Sequence, residues 1–266
     1  MILNAIQTGS GAPVVFLHGL FGAGRNFGVF HRALSGRFRV VALDMRNHGA
    51  SPHAPDMRYA TLAQDVLDTL ASLGALPAAV IGHSMGGKAA MMAAIARPDA
   101  IGRLLVADIA PVAYRHDNSS IAAAMRAIPL TSALTRAQAA DALIGVAPDP
   151  NIRAFLVQNL NFGPTPTWRP AWRIGLEEIS AAIPDLEGWE APAGRSYAGP
   201  GWFVTGANSH YVLPEHRPII RGLFPAAKFV AVKNAGHWLH ADNRAGFASV
   251  LDAFLHDWGA GGGSAA

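Results

Sequence analysis

The feature that most restricts this chain is a set of short apolar runs that do not alternate with polar residues. Val14–Leu17, Val40–Leu43, Ala78–Ile81 and Leu104–Ala107 are apolar throughout. A strand with one wet face alternates apolar and polar residues, whereas a strand covered on both faces does not. Helical patterns lie between the runs, notably over Leu62–Leu73 and Gly86–Ala96. Strand and helix in alternation, joined by right-handed crossovers, predict an α/β fold: a mostly parallel central sheet flanked by helices.

Past Val112 the pattern changes. As far as about Pro200, helical pieces are broken by prolines, and strand patterning then returns at Gly201–Thr205 and Lys228–Val232 before a final helix over Arg244–Trp258. Strands on both sides make the middle segment an excursion from one sheet. The expected organisation is a core of residues 1–112 and 200–258, an inserted helical cap over 113–199, and a flexible glycine-rich tail over 259–266.

Composition removes several function classes. Over 266 residues, 51% hydrophobic and 15% charged side chains supply a large core and exclude global disorder. No apolar run reaches the roughly 18 residues of a membrane span. The net charge of +3 is a small excess of 21 cations over 18 anions. The cations, nearly all arginine, are scattered and form no basic stripe, which argues against nucleic acid as a partner. Cysteine is absent, so disulfides, thiolate metal sites and a cysteine nucleophile are all excluded. The start, Met1–Ile6, lacks the basic and apolar regions of a secretion signal, and a cytoplasmic location is expected. With no HExxH, EF-hand or P-loop pattern, neither a metal nor an organic cofactor is expected. A monomer or a dimer is expected.

The chemistry gathers where strands end. Gly82-His83-Ser84-Met85-Gly86 fits G-x-S-x-G, with the required strand before it and helix after it. Such a turn strains the serine backbone and projects Ser84 beyond the carboxyl edge of the sheet, next to a helix N-terminus that favours developing negative charge. Ser84 is therefore the candidate nucleophile. It needs a base. His237 follows the Lys228–Val232 strand in a glycine-bearing loop, on the same edge of the sheet, and is the candidate; His240 is the rival, expected to start the next helical segment or line the site.

For the acid, most enzymes with this chain order carry a G-x-x-D pattern after the strand that follows the cap. Here that stretch is Gly206-Ala207-Asn208-Ser209, without a carboxylate. Asp108, ending the strand after the nucleophile helix, is the candidate instead. Asp44 is expected to fix the Arg46–Ser51 turn, and Asp242 to cap the last helix. Two backbone donors should hold an oxyanion: the Met85 amide, and that of Leu20 or its neighbour Phe21 in the His18–Gly22 turn. His18 is expected to brace that turn.

Together, His18-Gly19, the Asp44–Ser51 segment, Gly82–Gly87 and Gly236-His237 resemble the α/β-hydrolase superfamily over nearly the whole chain. Gly82–Lys88 followed by Val106–Val112 resembles a small esterase branch in which the acid follows the sixth strand, the place Asp108 occupies; Gly206–Tyr211 and Trp168–Trp172 resemble it too. The resemblance implies hydrolysis of small-molecule carboxylic esters by a Ser-His-Asp mechanism, with acyl-CoA thioester cleavage as a variant. Carbon–carbon bond hydrolysis or perhydrolysis on the same residues, and a non-catalytic ligand receptor, are the rival readings. Phe21, Phe27, Trp168 and Trp172 are expected to form a short- to medium-chain acyl site. Arg169 and Arg173, four apart, would share one face of a helix and meet either an acidic headgroup or solvent.

Overall fold

A computed structural model describes residues 1–163, 165 and 168–259. The tail expectation for residues 260–266 lies outside them. Among the described residues nine strands occur: β1 (Ala5–Thr8), β2 (Pro13–Leu17), β3 (Arg39–Leu43), β4 (Ala78–His83), β5 (Ile101–Ala107), β6 (Leu160–Asn161), β7 (Ala171–Trp172), β8 (Gly201–Gly206) and β9 (Ala227–Val232). Seven of them form one sheet in the order β1-β3-β2-β4-β5-β8-β9. Every neighbouring pair is parallel except β1 with β3.

The non-alternating runs have a direct cause. Successive residues of each central strand enter different cores on opposite faces of the sheet. Val15, Leu17, Val41, Leu43, Val80, Leu104 and Val106 pack on one side. Val14, Phe16, Val40, Ala42, Ile81, Leu105 and Ala107 pack on the other. Helices α2 (Tyr59–Ser72) and α3 (Met85–Ala96) cover the first face, while α1 (Gly28–Leu34) and the C-terminal helix (Arg244–Phe254) cover the second. Full burial of a Val, Leu or Phe side chain contributes about 1.5–3 kcal/mol, so neither face can turn outward. Helix α3 runs through the middle of this packing, and even its lysine, Lys88, is buried.

The segment expected to be a helical cap carries α4 (Asn118–Ala127), α5 (Arg136–Asp141), α6 (Pro150–Val157) and α7 (Leu176–Glu187), and also the small antiparallel β6–β7 ladder. Its apolar side chains, such as Met125, Leu156 and Ile179, join the core on the α2–α3 face. After β8 come α8 (His216–Leu223), α9 (Leu239–Asp242) and α10 (Arg244–Phe254); the last helix ends four residues before the expected Trp258.

Parallel register brings the strand ends level. Leu17 stands beside Gly82, His83 beside Ala107, and Ala107 beside Val204. The residues that follow these strands therefore emerge on one edge.

Candidate active site

Between β4 and α3 the chain turns in one residue. Ser84 sits there at φ 52°, ψ −120°, a conformation that costs a non-glycine residue on the order of 1–3 kcal/mol. The packing around the turn leaves no room for side chains. A Cβ on Gly86 would stand 2.4 Å from the Leu17 carbonyl oxygen, and one on Gly82 would stand 2.3 Å from that of Gly86. Both positions are glycine because backbone meets backbone.

Asp108 follows β5, also at positive φ (54°), and its side chain is fully buried. His237 lies in the loop after β9. Its Nδ1 donates to Asp108 Oδ2 at 2.8 Å, and the Ser84 hydroxyl donates to its Nε2 at 3.1 Å. Residues 84, 108 and 237 thus form one hydrogen-bonded line. The carboxylate is held from its other side as well: Oδ1 accepts from the Thr205 hydroxyl (2.7 Å) and the Gly206 amide (3.1 Å), and Oδ2 accepts a second bond, from the Ser209 hydroxyl.

The turn after β2 faces Ser84, with Gly19 lying against it. His18 braces it, as expected: Nδ1 donates to the Gly19 carbonyl (2.8 Å), and Nε2 accepts the Met45 amide (2.9 Å). Burial pushes this imidazole down to about 4, so it is neutral at pH 7. Phe21, at φ 60°, gives its amide to His48 Nε2 at 3.1 Å, which separates the two sequence alternatives for the second oxyanion donor. Among the described residues, the amides of Leu20 and Met85 donate to no protein acceptor.

These groups open into a cavity of about 200 Å³ lined by Leu20, Phe21, Phe27, Ser84, Met85, Ile109, Ile121, Ile152, Phe155 and Leu186, with His237 at its wall. Lys88, Asn118 and Glu187 give it a polar stretch. Among the described residues no group of three or more metal-ligating side chains is assembled, and no helix is long and apolar enough to cross a membrane.

A family model described as the alpha/beta hydrolase fold matches residues 12–244. This chain belongs to that family. The hydrolase is 41% identical over 253 residues to the mouse sn-1-specific diacylglycerol lipase ABHD11, an alignment spanning 91% of this chain and 80% of the relative. It is 37% identical over 250 residues to Esterase YbfF of Escherichia coli K12, spanning 92% and 94%. Among solved structures, a marine microorganism esterase superposes with a TM-score of 0.91 at 34% identity, over 96% of this chain and 100% of that one.

Several expectations need correcting for this hydrolase. Phe21 and Phe27 line the cavity, but Trp168 and Trp172 do not. Trp168 is 45% exposed and lies against Gly163, while Trp172 pairs with Leu160 in the β6–β7 ladder. Arg169 and Arg173 flank β7 instead of sharing a helical face, and neither reaches the cavity. Asp242 does not cap the last helix: Asn243 does, accepting the Gly246 amide at 2.9 Å. Asp242 accepts the Gly236 amide at 2.8 Å and so steadies the loop that carries His237. Asp44 holds its turn as expected, accepting the Ala50 amide, and also reaches the Gly24 amide and Asn4. His240 is the second residue of the short α9 (Leu239–Asp242) and lines the cavity.

Three residues around the hydrolase site carry no sequence expectation. Tyr211 stacks on the His237 ring at 3.6 Å between centroids and 15° between planes. His83 donates from Nε2 to the His237 carbonyl at 2.8 Å, fixing His237 through its own backbone. Lys88 donates to the Gly188 and Glu187 carbonyls (2.7 and 3.2 Å), tying α3 to the end of α7. The available signal is position alone: Tyr211 lies in a loop after a strand end, and Lys88 lies one helical turn after Ser84.

Proposed function

We propose that this carboxylester hydrolase cleaves small-molecule esters of short to medium acyl chain by two-step acyl transfer on Ser84, His237 and Asp108. Ser84 Oγ attacks the ester carbonyl carbon while His237 Nε2 takes its proton. The charge that develops on the carbonyl oxygen is held by the amides of Met85 and Leu20, which point from a helix N-terminus and a rigid turn. Collapse expels the alcohol, which receives the proton from His237. Water, deprotonated by the same ring, then attacks the acyl–Ser84 ester and releases the acid. Asp108 keeps the proton on Nδ1, so that Nε2 is the basic nitrogen, and stabilises the imidazolium that forms.

The observation that carries this reading is the unbroken relay of 2.8 Å from Asp108 to His237 and 3.1 Å from His237 to Ser84. The apolar lining and volume of the cavity support an acyl group of modest length. Ester hydrolysis accords with relatives named esterase and lipase. The test is a chain-length series of p-nitrophenyl esters run beside acyl-CoA thioesters, with fluorophosphonate labelling of Ser84. We expect labelling, a maximum of kcat/KM at short to medium esters, and a fall of ~10⁴-fold or more in kcat for Ser84→Ala or His237→Ala. Preference for long acyl-CoA would replace the substrate assignment; an unlabelled Ser84 would remove the mechanism.

A further inference from the structure

The cavity at Ser84 has a neighbour. A second cavity, of about 410 Å³, is lined by Val29 and Phe30 of α1, and the exposed Asp149 and Arg244 place its far side at the surface. The two cavities share Asn26, Ile152, Phe155, Trp238 and His240, which therefore form a common wall.

That wall presents no charge. The Asn26 amide is engaged on both sides, its Oδ1 accepting the Ala23 amide at 2.7 Å and its Nδ2 donating to Gln158 Oε1 at 3.4 Å. Burial pushes His240 down to about 4, so its ring is neutral at pH 7. The rest of the wall is Ile152 and two aromatic rings. A hydrocarbon tail that meets it is stopped by shape and not by polarity.

The two rings belong to different layers of the molecule. Trp238 directly follows His237 on the sheet side, whereas Phe155 comes from α6 in the inserted segment. They meet edge to face, 4.3 Å between centroids and 74° between planes, an arrangement that aromatic pairs favour. Both are only half-buried, and Phe155 is the member that does not adjoin His237 in the chain.

We propose that Phe155 is the specificity-determining residue for acyl length: packed edge-on to Trp238, its ring walls the Ser84 cavity off from the second one and confines the acyl group to the first. This deepens the short- to medium-chain ester reading given above and rests on it. Loss of the ring joins the two volumes, and a longer acyl chain then lies along Ile152, Val29 and Phe30.

The experiment compares kcat/KM for p-nitrophenyl decanoate with that for p-nitrophenyl butyrate. In Phe155→Ala the decanoate-to-butyrate ratio should rise on the order of tenfold over the parent, the effect of gaining room for methylenes in an apolar pocket. Val29→Trp, which adds bulk to the second cavity alone, should return the ratio of Phe155→Ala to the parent value. An unchanged ratio in Phe155→Ala would overturn the proposal, and so would a gain that survives Val29→Trp, since the longer chain would then lie elsewhere. Should Phe155→Ala fail to fold, Phe155→Leu takes its place: it keeps part of the bulk, and its ratio should rise by a smaller factor, with no rise overturning the proposal. Fluorophosphonate labelling of Ser84 in every variant separates the two readings. An unlabelled parent would remove the mechanism, whereas labelled variants with the parent's ratio would remove only the role of Phe155.

Discussion

The Tyr211 ring lies flat on the His237 imidazole, 3.6 Å from it and nearly parallel. The stack continues through His116, 4.7 Å from Tyr211, and Tyr114, 5.1 Å from His116. It is also pinned, because the Tyr114 hydroxyl donates to the Tyr211 carbonyl at 2.6 Å and accepts the Ala110 amide. Asp108 and Ser84 fix the two ring nitrogens, but neither prevents the ring from tipping out of its plane. With His237 as the proposed base, Tyr211→Ala should therefore lower kcat by about 10- to 100-fold with little change in KM, since small misplacement of such a group is costly. Tyr211→Phe, which keeps the stacked face, should remain within a few fold of the parent. Steady-state kinetics of the two variants checks this, and equal losses in both would assign the effect to the hydroxyl instead.

Buried neutral imidazoles make the protein sensitive to acid. Burial pushes His18 down to about 4, His48 to about 3 and His240 to about 4. An exposed histidine titrates at 6.5, so as pH falls from 6.5 the unfolded chain takes up protons that the folded chain refuses. The folded-state pKa values are depressed; stability is full above pH 6.5 and is lost on the way down toward pH 4 and 3. His48 is the informative member, because its Nε2 must stay unprotonated to accept the Phe21 amide. The melting temperature should fall progressively from pH 6.5 to 4, and His48→Asn should reduce that slope. A slope identical to the parent's would show that other groups control acid unfolding.

Much of this architecture is legible because its causes are local. Strands covered on both faces write unbroken apolar runs, and a serine between β4 and α3 requires glycines that stand in plain view beside it. β1 leaves no such trace: it pairs on one side only, with three of its four residues exposed. The β6–β7 ladder is two residues per strand, too short for a period. Tryptophans suit a ligand site, which points Trp168 and Trp172 toward the cavity, yet Trp168 lies exposed against Gly163 and Trp172 pairs with Leu160 in a ladder invisible in sequence. Asn243 and Asp242 are both good capping residues, and only the backbone decides which one begins the helix. Ser209 and Tyr211 act on residues about 100 and 26 positions away, contacts that depend on strand order.

Lys88 should make stability rise with alkaline pH. Burial pushes its ammonium down to about 7, opposed by the nearby Glu187 carboxylate. Above that value the folded chain carries a neutral amine while the unfolded chain, with an ordinary lysine near 10.5, still binds a proton. The unfolded state then holds more protons, so the contribution of this group grows from pH 7 toward 10.5 and is lost as pH falls through 7. The parent should therefore gain stability relative to Lys88→Met between pH 7 and 9. Melting temperatures of both proteins across that range test it; a constant difference would mean that the amine does not titrate there. Because Lys88 also joins α3 to the Glu187 and Gly188 carbonyls, the variant should give faster proteolysis of the 113–199 segment at every pH.

The same substitution at two glycines should have opposite signs. Glycine in a helix is less favourable than alanine by up to about 1 kcal/mol, because it fixes a freer backbone. Gly222 lies in α8, where an added Cβ would meet nothing within 4 Å, so Gly222→Ala should stabilise by about 0.5–1 kcal/mol and leave kcat alone. Gly86 lies in α3, where the same gain is available, but its Cβ would meet the Leu17 and His18 carbonyl oxygens at 2.4 and 2.6 Å. Those are backbone atoms at the end of a central strand and cannot swing aside. The repulsion exceeds the propensity gain, and Gly86→Ala should destabilise by about 1–3 kcal/mol. Relief can come only by parting α3 from the β2 turn, which moves Ser84 and the Met85 amide away from Leu20, so kcat should fall more than tenfold as well. Denaturation midpoints and kcat for the two variants provide the check. A neutral Gly86→Ala with intact kcat would mean that helix and turn separate freely, and that the rigid turn invoked for the oxyanion is not rigid.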